Sequence, residues 1–209
     1  MDLELANFSE GTITPGTSLP NLGWDVLYEA NQIPESATPA WTQVNLNPDT
    51  ETAAGGIFTM AETLPVINGP YYTSSDANIS NTTGFTIQAR LKVITTTNST
   101  GLDCILGVEL GAGQPWGYLY FTQTNIQINE GVVTPATYTM DTTDDFHIYH
   151  FTVKNSVCRA YVDGIYRITA TLNNIAGSGT LAEFGTFASG AYEHQWDYVY
   201  FSAGGAFAP

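Results

Sequence analysis

The chain has 209 residues and a mass of 22.5 kDa, a length that fits one domain able to bury a core without disulfide bonds. Charged residues and aromatic residues each make up 12% of the sequence, which excludes disorder because disordered chains combine high charge with few aromatics. Twenty acidic residues against five basic ones give a formal charge of -15. We therefore expect no nucleic-acid partner, because this charge repels phosphate.

The sequence also gives no sign of a membrane segment or a targeting signal. No run approaches the roughly 18 apolar residues that a spanning helix needs. The start, Met1–Ala6, carries neither a basic region nor an apolar one, so no signal peptide is expected there. Cys104 and Cys158 each lie in an alternating apolar segment, which favours two buried small hydrophobic side chains over a disulfide and leaves their pairing open.

Along the chain the predicted elements are strands. Seven prolines interrupt the first third, which we expect to be rich in loops, and turn residues recur at short spacing afterwards. Residues 85–93 alternate apolar and polar side chains, which predicts a half-buried strand. The segments 104–110, 117–123 and 146–154 are predicted strands too. No stretch has a helical period and no linker divides residues 1–209, so we predict a single all-β domain.

The segment Val157–Leu172 reads as a hairpin around Asp163-Gly164. A two-residue loop would pair Val162 with Ile165, whereas a three-residue loop with a left-handed glycine puts both apolar sets on one face. We predict the three-residue loop, which places Arg159, Tyr161, Arg167 and Thr169 together on the face opposite the core.

Three segments resemble the concanavalin A-like lectin/glucanase superfamily, including its laminin-G-like domains. They are Leu27–Pro34 with Thr38–Thr42, the hairpin strand and turn Tyr161-Val162-Asp163-Gly164, and the closing strand Asp197-Tyr198-Val199. In that order they cover most of the chain from about Leu27 to Pro209. The resemblance implies a two-sheet antiparallel jelly-roll β-sandwich with a concave face that often binds saccharide. It does not fix the function, since lectins, hydrolases, lyases and structural domains share the fold.

The motifs do not predict a catalytic site. Retaining glycosidases need two carboxylates about 5 Å apart, and the family's Glu-x-Asp-x-x-Glu signature is missing from this chain. The alginate-lyase strand patterns are missing as well. His147, His150 and His194 form no triad that spacing supports. We therefore favour a protein without catalytic residues, and leave the enzyme question open.

The outer face of the predicted strands, opposite the core, indicates a binding site instead. Four of the five basic residues, all except Lys154, fall on it. In an acidic chain this clustering favours a hydroxyl-rich or acidic ligand, with aromatic rings stacking on sugar and polar groups bonding hydroxyls. The alternative is a polar ladder in which Arg90 or Arg159 pairs with Glu109. The predicted carbohydrate-binding residues are Arg90, Glu109, Trp116, Tyr118, Tyr120, His150, Arg159 and Tyr161. Of these, Trp116 lies in a glycine-flanked loop and has the alternative of covering the core edge.

The resemblance also implies a structural calcium ion. In similar domains the Asp of the closing Asp-Tyr-Val strand, here Asp197, binds Ca²⁺ with backbone carbonyls and an acidic residue from the N-terminal region. Glu10 or Asp25 would supply that residue, and no motif decides between them. Oxygen ligands suit Ca²⁺, whereas no His or Cys set suits zinc. The alternative is that Asp197 hydrogen-bonds within a turn.

Three functional hypotheses follow from these features. The first is a non-catalytic, lectin-like domain that binds polysaccharide or another glycan, carried by an extracellular, cell-surface or virion protein. The second is a structural, self-assembling fibre or capsid-type subunit, for which a homo-oligomer is expected. The third is a glycan-cleaving hydrolase or lyase with a site that the motifs do not reveal.

Overall fold

A computed structural model describes residues 23–45, 50–63, 69–75, 79–80, 82–97, 104–109, 117–129, 131–173, 178–179, 181–187 and 190–209. Within these ranges the chain forms seventeen strands and one short 3₁₀ turn at Pro34–Ser36. No helix in the described ranges is long and apolar enough to cross a membrane.

The strands in chain order are β1 (Val26–Glu29), β2 (Thr42–Val44), β3 (Thr50–Ala54), β4 (Ile57–Glu62), β5 (Tyr71–Ser74), β6 (Ile79–Ser80), β7 (Phe85–Thr96), β8 (Cys104–Glu109), β9 (Gly117–Thr122), β10 (Asn125–Ile128), β11 (Ala136–Thr139), β12 (His147–Lys154), β13 (Val157–Val162), β14 (Ile165–Thr171), β15 (Ser178–Gly179), β16 (Leu181–Gly185) and β17 (Tyr192–Ser202). Eight of them form one antiparallel sheet in the order β14-β13-β12-β7-β17-β4-β3, where β1 pairs with the second half of β17. Seven form a second antiparallel sheet in the order β11-β10-β9-β8-β16-β5-β2. The predicted all-β, two-sheet antiparallel sandwich is confirmed.

The core between the sheets is built from the alternating apolar residues of both. On β7, every second side chain from Phe85 to Val93 is buried to 1% exposure or less, as predicted. At one end of the core, Phe184 of β16 contacts rings from both sheets, including Trp41 and Trp196, each with its ring centroid at 5.0 Å. Burying an aromatic side chain and packing its ring edge-to-face both favour the folded state.

The two cysteines agree with the expectation of small buried residues. Cys104 on β8 and Cys158 on β13 are both buried, and both are free thiols. Burial raises the pKa of the Cys158 thiol above its usual range, which keeps it protonated and unreactive.

The predicted hairpin loop is wrong in length but right in its buried face. Val162 pairs with Ile165, so Asp163 and Gly164 form a two-residue turn in which both residues have positive φ, +51° and +77°. This is the turn whose twist matches that of hairpin strands. A bulge then skips Arg167 in the ladder, so that Ala160 pairs with Ile168 and both apolar sets still face the core.

The bulge separates Arg167 from the cationic face on which it was predicted. Its guanidinium lies 4.7 Å from the ring centroid of Tyr138 on β11, in the other sheet. Arg159 pairs with Thr169 on the outer face, as expected. The predicted cluster of four basic residues on the outer face therefore has three members.

Close strand approach at Gly107 generates a prediction about stability. A Cβ at Gly107 would lie 2.3 Å from the Gly117 carbonyl oxygen and 2.3 Å from Tyr118 Cδ1, so Gly107→Ala must displace the neighbouring strand. We expect a loss of about 2 kcal/mol of unfolding free energy, measured by denaturant titration. The control is Gly117→Ala, whose Cβ would meet its nearest atoms at ordinary contact distances of 3.6 Å or more. Equal losses for the two variants would contradict this packing.

Candidate functional site

The outer face of the eight-stranded sheet brings together four of the eight residues predicted to bind carbohydrate. Arg90 lies on β7, His150 on β12, and Arg159 and Tyr161 on β13. Gln88, His150 and Tyr161 occupy directly paired positions across three neighbouring strands. The sequence prediction that these residues share one face is correct for this group.

Three aromatic rings form a continuous row on this face. The ring centroids of His150 and Tyr161 are 5.7 Å apart, and those of Tyr161 and Tyr166 are also 5.7 Å apart. Tyr166 is 51% exposed. It stands opposite Tyr161 because the hairpin turn is short and the bulge lies beyond it. The row therefore runs from a buried imidazole to an accessible phenol at the sheet edge.

His150 is held as a neutral side chain. The Gln88 amide donates to Nδ1 at 3.3 Å, and Nε2 donates to the Phe207 carbonyl at 2.6 Å. Burial lowers the pKa of His150, and its bond to the Phe207 carbonyl only partly opposes this. The imidazole can thus orient neighbours, but both of its nitrogens are already engaged.

The C-terminal segment 203–209 lies over part of the predicted face. Thr86 Oγ1 donates to the Gly205 carbonyl at 2.8 Å and accepts from the Phe207 amide at 2.9 Å. These bonds, with the one from His150, fix the segment against β7 and β12. Thr86 and Thr152 are buried on this face, whereas Arg159 and Tyr166 on its β13–β14 side are exposed.

Arg90 forms an ion pair rather than a free binding group. Its Nη1 donates to Asp197 Oδ2 at 2.6 Å, and its guanidinium lies 4.9 Å from the ring centroid of Phe146. Asp197 reaches this position because a bulge in β17 shifts the register between Trp196 and Tyr198. The predicted alternative of an Arg90–Glu109 ladder is wrong, because Glu109 lies on β8 in the other sheet.

The residues predicted to bind calcium do not converge in the described part of the chain. Asp25 and Asp197 lie beyond opposite ends of β1: the Asp25 amide donates to the Phe201 carbonyl, and the Asp197 carbonyl accepts from Ala30. The Asp25 carboxylate accepts from the Ala203 amide at 2.6 Å. No group of three or more His, Cys, Asp or Glu residues able to hold a metal occurs among the residues described. Asp25 and Asp197 together therefore do not fit a calcium site.

Glu10 lies outside the described residues, so a calcium ion bound by Asp197 and Glu10 stays a prediction. If calcium is bound there, chelation lowers the melting temperature, because a ligand that binds only the native state stabilises it. Asp197→Ala should remove this sensitivity. A melting temperature unchanged by chelator would leave Arg90 as the counter-charge of Asp197.

Glu109, Tyr118 and Tyr120 belong to the seven-stranded sheet and not to the face just described. Tyr118 and Tyr120 point away from the core as predicted, but they are 1% and 0% exposed, so the expectation of an exposed surface is wrong. They form a second apolar cluster with Ile105. The Tyr118 hydroxyl donates to the carboxylate of Glu183, which is itself buried. Glu109 pairs with Leu181 in this sheet, and Trp116 lies outside the described residues.

His147, Asp144 and Asp163 form a charged cluster, here called the clasp, at the tip of the β13–β14 hairpin. His147 Nδ1 lies 2.7 Å from Asp163 Oδ2, and its Nε2 lies 2.9 Å from Asp144 Oδ1. Asp163 also accepts from the Ile148 amide. Partial burial lowers the pKa of His147, but the bonds to the two carboxylates outweigh it, so the pKa is raised overall. The protonated ring thus joins the loop before β12 to the turn that leads to Tyr166.

Comparison with known proteins places the fold. No family model matches the chain, and no curated protein matches its sequence. A Bacillus licheniformis β-glucanase structure is 14% identical with a TM-score of 0.56, and the match covers 87% of this chain and 99% of that one. Alginate lyase A1-II′, a member of polysaccharide lyase family 7, is 12% identical with a TM-score of 0.57, over 85% of this chain and 94% of that one. The chain has the concanavalin A-like jelly-roll fold. The predicted resemblance is confirmed at the level of fold, which these identities alone support.

A binding protein also shares this jelly roll. A structure of botulinum neurotoxin type C, whose cell entry depends on two ganglioside molecules, is 8% identical with a TM-score of 0.55. The match covers 80% of this chain and 44% of that one. Proteins with enzymatic and with binding roles therefore both resemble this chain in fold, and the function must be argued from its own residues.

Sequence reasoning missed Tyr166 and the partner of Asp197. The first omission comes from the predicted length of the hairpin turn, and the second from the bulge in β17. A bulge adds one residue to a strand, and period-two alternation carries no mark of it. The Asp163-Gly164 pair was a usable signal, because Asp-Gly between apolar runs favours a two-residue turn. In the jelly roll that turn puts Tyr166 beside Tyr161.

The clasp predicts a pH dependence of stability. Because the pKa of His147 is raised on folding, its contribution is fully present below the unfolded value near 6.5 and is lost as pH rises through the folded value. We expect His147→Gln to lower the melting temperature by about 2 °C at pH 6 and by less at pH 9. Asp163→Asn, which keeps a residue tolerant of positive φ, should show the same pattern. A loss independent of pH would contradict the clasp.

Proposed function

We propose that this protein is a non-catalytic carbohydrate-binding domain that binds glycan on the outer face of its eight-stranded sheet, at Tyr161, Tyr166 and Arg159. The observation that carries the proposal is an aromatic pair, half-buried Tyr161 and exposed Tyr166, beside the exposed Arg159. We also propose an extracellular, cell-surface or virion setting for it, where glycans are met.

The aromatic pair offers what the apolar face of a sugar ring requires. Tyr161 and Tyr166 are held in edge-to-face contact by their paired positions on β13 and β14. Each ring is amphipathic, with an apolar body and a hydroxyl that can bond water or ligand. Because His150 contacts Tyr161 from the other side, the row is fixed on the sheet before any ligand arrives, which limits the entropy lost on binding.

Arg159 supplies the polar side of the proposed site. It is exposed, lies two residues before Tyr161 on the same strand face, and forms no ion pair within the described part of the chain. A guanidinium is a planar donor of several hydrogen bonds and is well suited to hydroxyl or carboxylate oxygens. In contrast, Arg90 is already neutralised by Asp197, so of these two guanidinium groups Arg159 is the one available for a ligand.

The hydrolase alternative rests on Glu183, a buried carboxylate that accepts from the Tyr118 hydroxyl on the other sheet. Glycosidases of the common type use two carboxylates across the scissile bond. Glu183 is buried and bonded to the Tyr118 hydroxyl, whereas Tyr166 and Arg159 on the other sheet are exposed, which favours binding there. A self-assembling subunit is the other alternative, since Ile165 and Tyr166 are exposed together at the edge strand.

The test is a glycan array followed by calorimetric titration of the glycans retained. We expect Tyr161→Ala and Tyr166→Ala each to weaken binding about tenfold, which corresponds to about 1.4 kcal/mol. Arg159→Lys keeps the charge but loses the planar fork, so it should weaken binding less than Arg159→Ala. Melting temperatures should stay nearly unchanged for the variants of Tyr166 and Arg159, which are exposed, and should fall somewhat more for Tyr161→Ala, because Tyr161 is half-buried.

The matched control is Leu27→Ala, which shortens an exposed apolar side chain, 39% accessible, on β1, a strand that pairs with β17 and not with the hairpin. It should leave glycan affinity unchanged. An array without any retained glycan would overturn the proposal. Concentration-dependent association lost in Tyr166→Ala would favour the self-assembling subunit instead, and release of reducing sugar abolished by Glu183→Gln would favour the hydrolase.

A further inference from the structure

The segment 203–209 is attached to the outer face of the eight-stranded sheet through side chains. Thr86 bonds the Gly205 carbonyl and the Phe207 amide, and His150 bonds the Phe207 carbonyl. Among the described residues, no backbone–backbone hydrogen bond joins this segment to a strand. The Phe207 ring is 50% exposed, so the apolar surface that it buries is small. The segment can therefore leave the face without breaking the ladder of the sheet.

A glycine defines the point from which the segment can move. The Gly204 amide donates to the Ser202 hydroxyl at 3.2 Å, which holds the chain beside the end of β17. Gly205 then has a φ of +150°, a conformation that other residues rarely adopt. A Cβ at Gly205 would also lie 3.1 Å from Phe207 Cζ. The position of residues 205–207 over the sheet therefore requires glycine at 205.

The side chains beneath the segment are suited to binding hydroxyl groups. The Thr86 hydroxyl donates to the segment and accepts from it, and His150 Nε2 donates to it. Both side chains are covered, since Thr86 is 0% and His150 is 4% exposed. A sugar hydroxyl is both a donor and an acceptor, so it can replace the peptide groups that these side chains now bond. The segment occupies polar groups that a glycan could use.

These covered groups continue the proposed glycan site. Tyr161 and Tyr166 lie on β13 and β14, while His150 and Thr86 lie on the next two strands, β12 and β7. Neighbouring strands are about 4.8 Å apart, so the two additional strands would lengthen the site by about 10 Å. A short saccharide at the tyrosine pair leaves the segment in place. A longer one that reaches β7 requires its displacement.

We propose that the segment 203–209 is an autoinhibitory strap, which restricts the glycan site to short saccharides and is displaced by longer ones. This inference rests on the proposed function, because it concerns the regulation of the same site. When the strap leaves, hydroxyl groups of the saccharide replace its backbone groups on Thr86 and His150. The apparent affinity for a long saccharide is then reduced by the fraction of molecules in which the strap is closed.

The first experiment measures the strap without any glycan, in the variant Gly205→Ala. The added Cβ displaces the strap while every side chain of the sheet face is kept. We expect faster hydrogen exchange of the Phe207 amide and a pKa of His150 that rises toward its ordinary value of about 6.5, measured by NMR titration. The pKa rises because burial is the main cause of its lowering in the closed protein.

A second variant and a control accompany this measurement. Thr86→Val removes both hydroxyl bonds to the strap and should cause the same two changes. The control is Ala208→Ser, which also adds one heavy atom to the segment, but at an exposed side chain. It should leave the exchange of the Phe207 amide and the pKa of His150 unchanged.

The second experiment titrates the wild type, Gly205→Ala and Ala208→Ser with a size series of each glycan retained on the array, from disaccharide to hexasaccharide. Gly205→Ala should bind the hexasaccharide about tenfold more tightly than the wild type does, because the strap no longer competes. The disaccharide should bind all three proteins equally, since the tyrosine pair alone holds it.

The outcomes separate this inference from the proposed function. A released strap without any gain in affinity for the hexasaccharide would overturn the inference and leave the glycan site in place. An unchanged His150 pKa and Phe207 exchange in both Gly205→Ala and Thr86→Val would overturn it too, because the segment would then be a fixed part of the fold. A wild type that binds no glycan of any size overturns the proposed function, and this inference with it.

Discussion

The aromatic contacts of Phe184 hold the two sheets together at one end of the sandwich, and the outer surface there depends on them. Its ring lies 5.0 to 5.4 Å from those of Tyr28, Trp41, Tyr72 and Trp196, which come from both sheets and from the segment between β1 and β2. Side chains alternate along a strand, so fixing these residues inward fixes their neighbours outward. The outward direction of alternate side chains on β17 and the cross-sheet reach of Tyr72 both follow from this layer.

The chain has a formal charge of -15, and its carboxylates are stabilised by different local partners. Arg90 neutralises Asp197 where a bulge turns that carboxylate outward. The protonated His147 joins two carboxylates at the hairpin tip. Glu51 instead accepts a hydrogen bond from the Tyr72 hydroxyl of the other sheet. The acidic side chains are thus stabilised in three different ways, according to whether the fold brings an arginine, a histidine or a tyrosine near.

The two outer faces differ in what a ligand can reach. On the seven-stranded sheet, Tyr118 and Tyr120 are buried, and the hydroxyl of Tyr118 is bonded to Glu183. On the eight-stranded sheet, the C-terminal segment covers the side near β7, while Tyr161, Tyr166 and Arg159 remain accessible beside it. Accessibility, more than residue type, favours the second face for binding, because aromatic residues occur on both.

The sequence by itself determined the all-β sandwich, the buried face of β7 and the side of the hairpin that enters the core, because burial of apolar residues at period two leaves little choice. It also grouped Arg90, His150, Arg159 and Tyr161 correctly. Only the tertiary structure decided that Tyr118 and Tyr120 lie on the other sheet, since alternation tells inside from outside but does not say to which sheet a strand belongs. The bulges at Arg167 and Asp197, and the bond of Tyr72 to Glu51, were likewise decided in three dimensions, because they depend on contacts between strands, and no local pattern records those contacts.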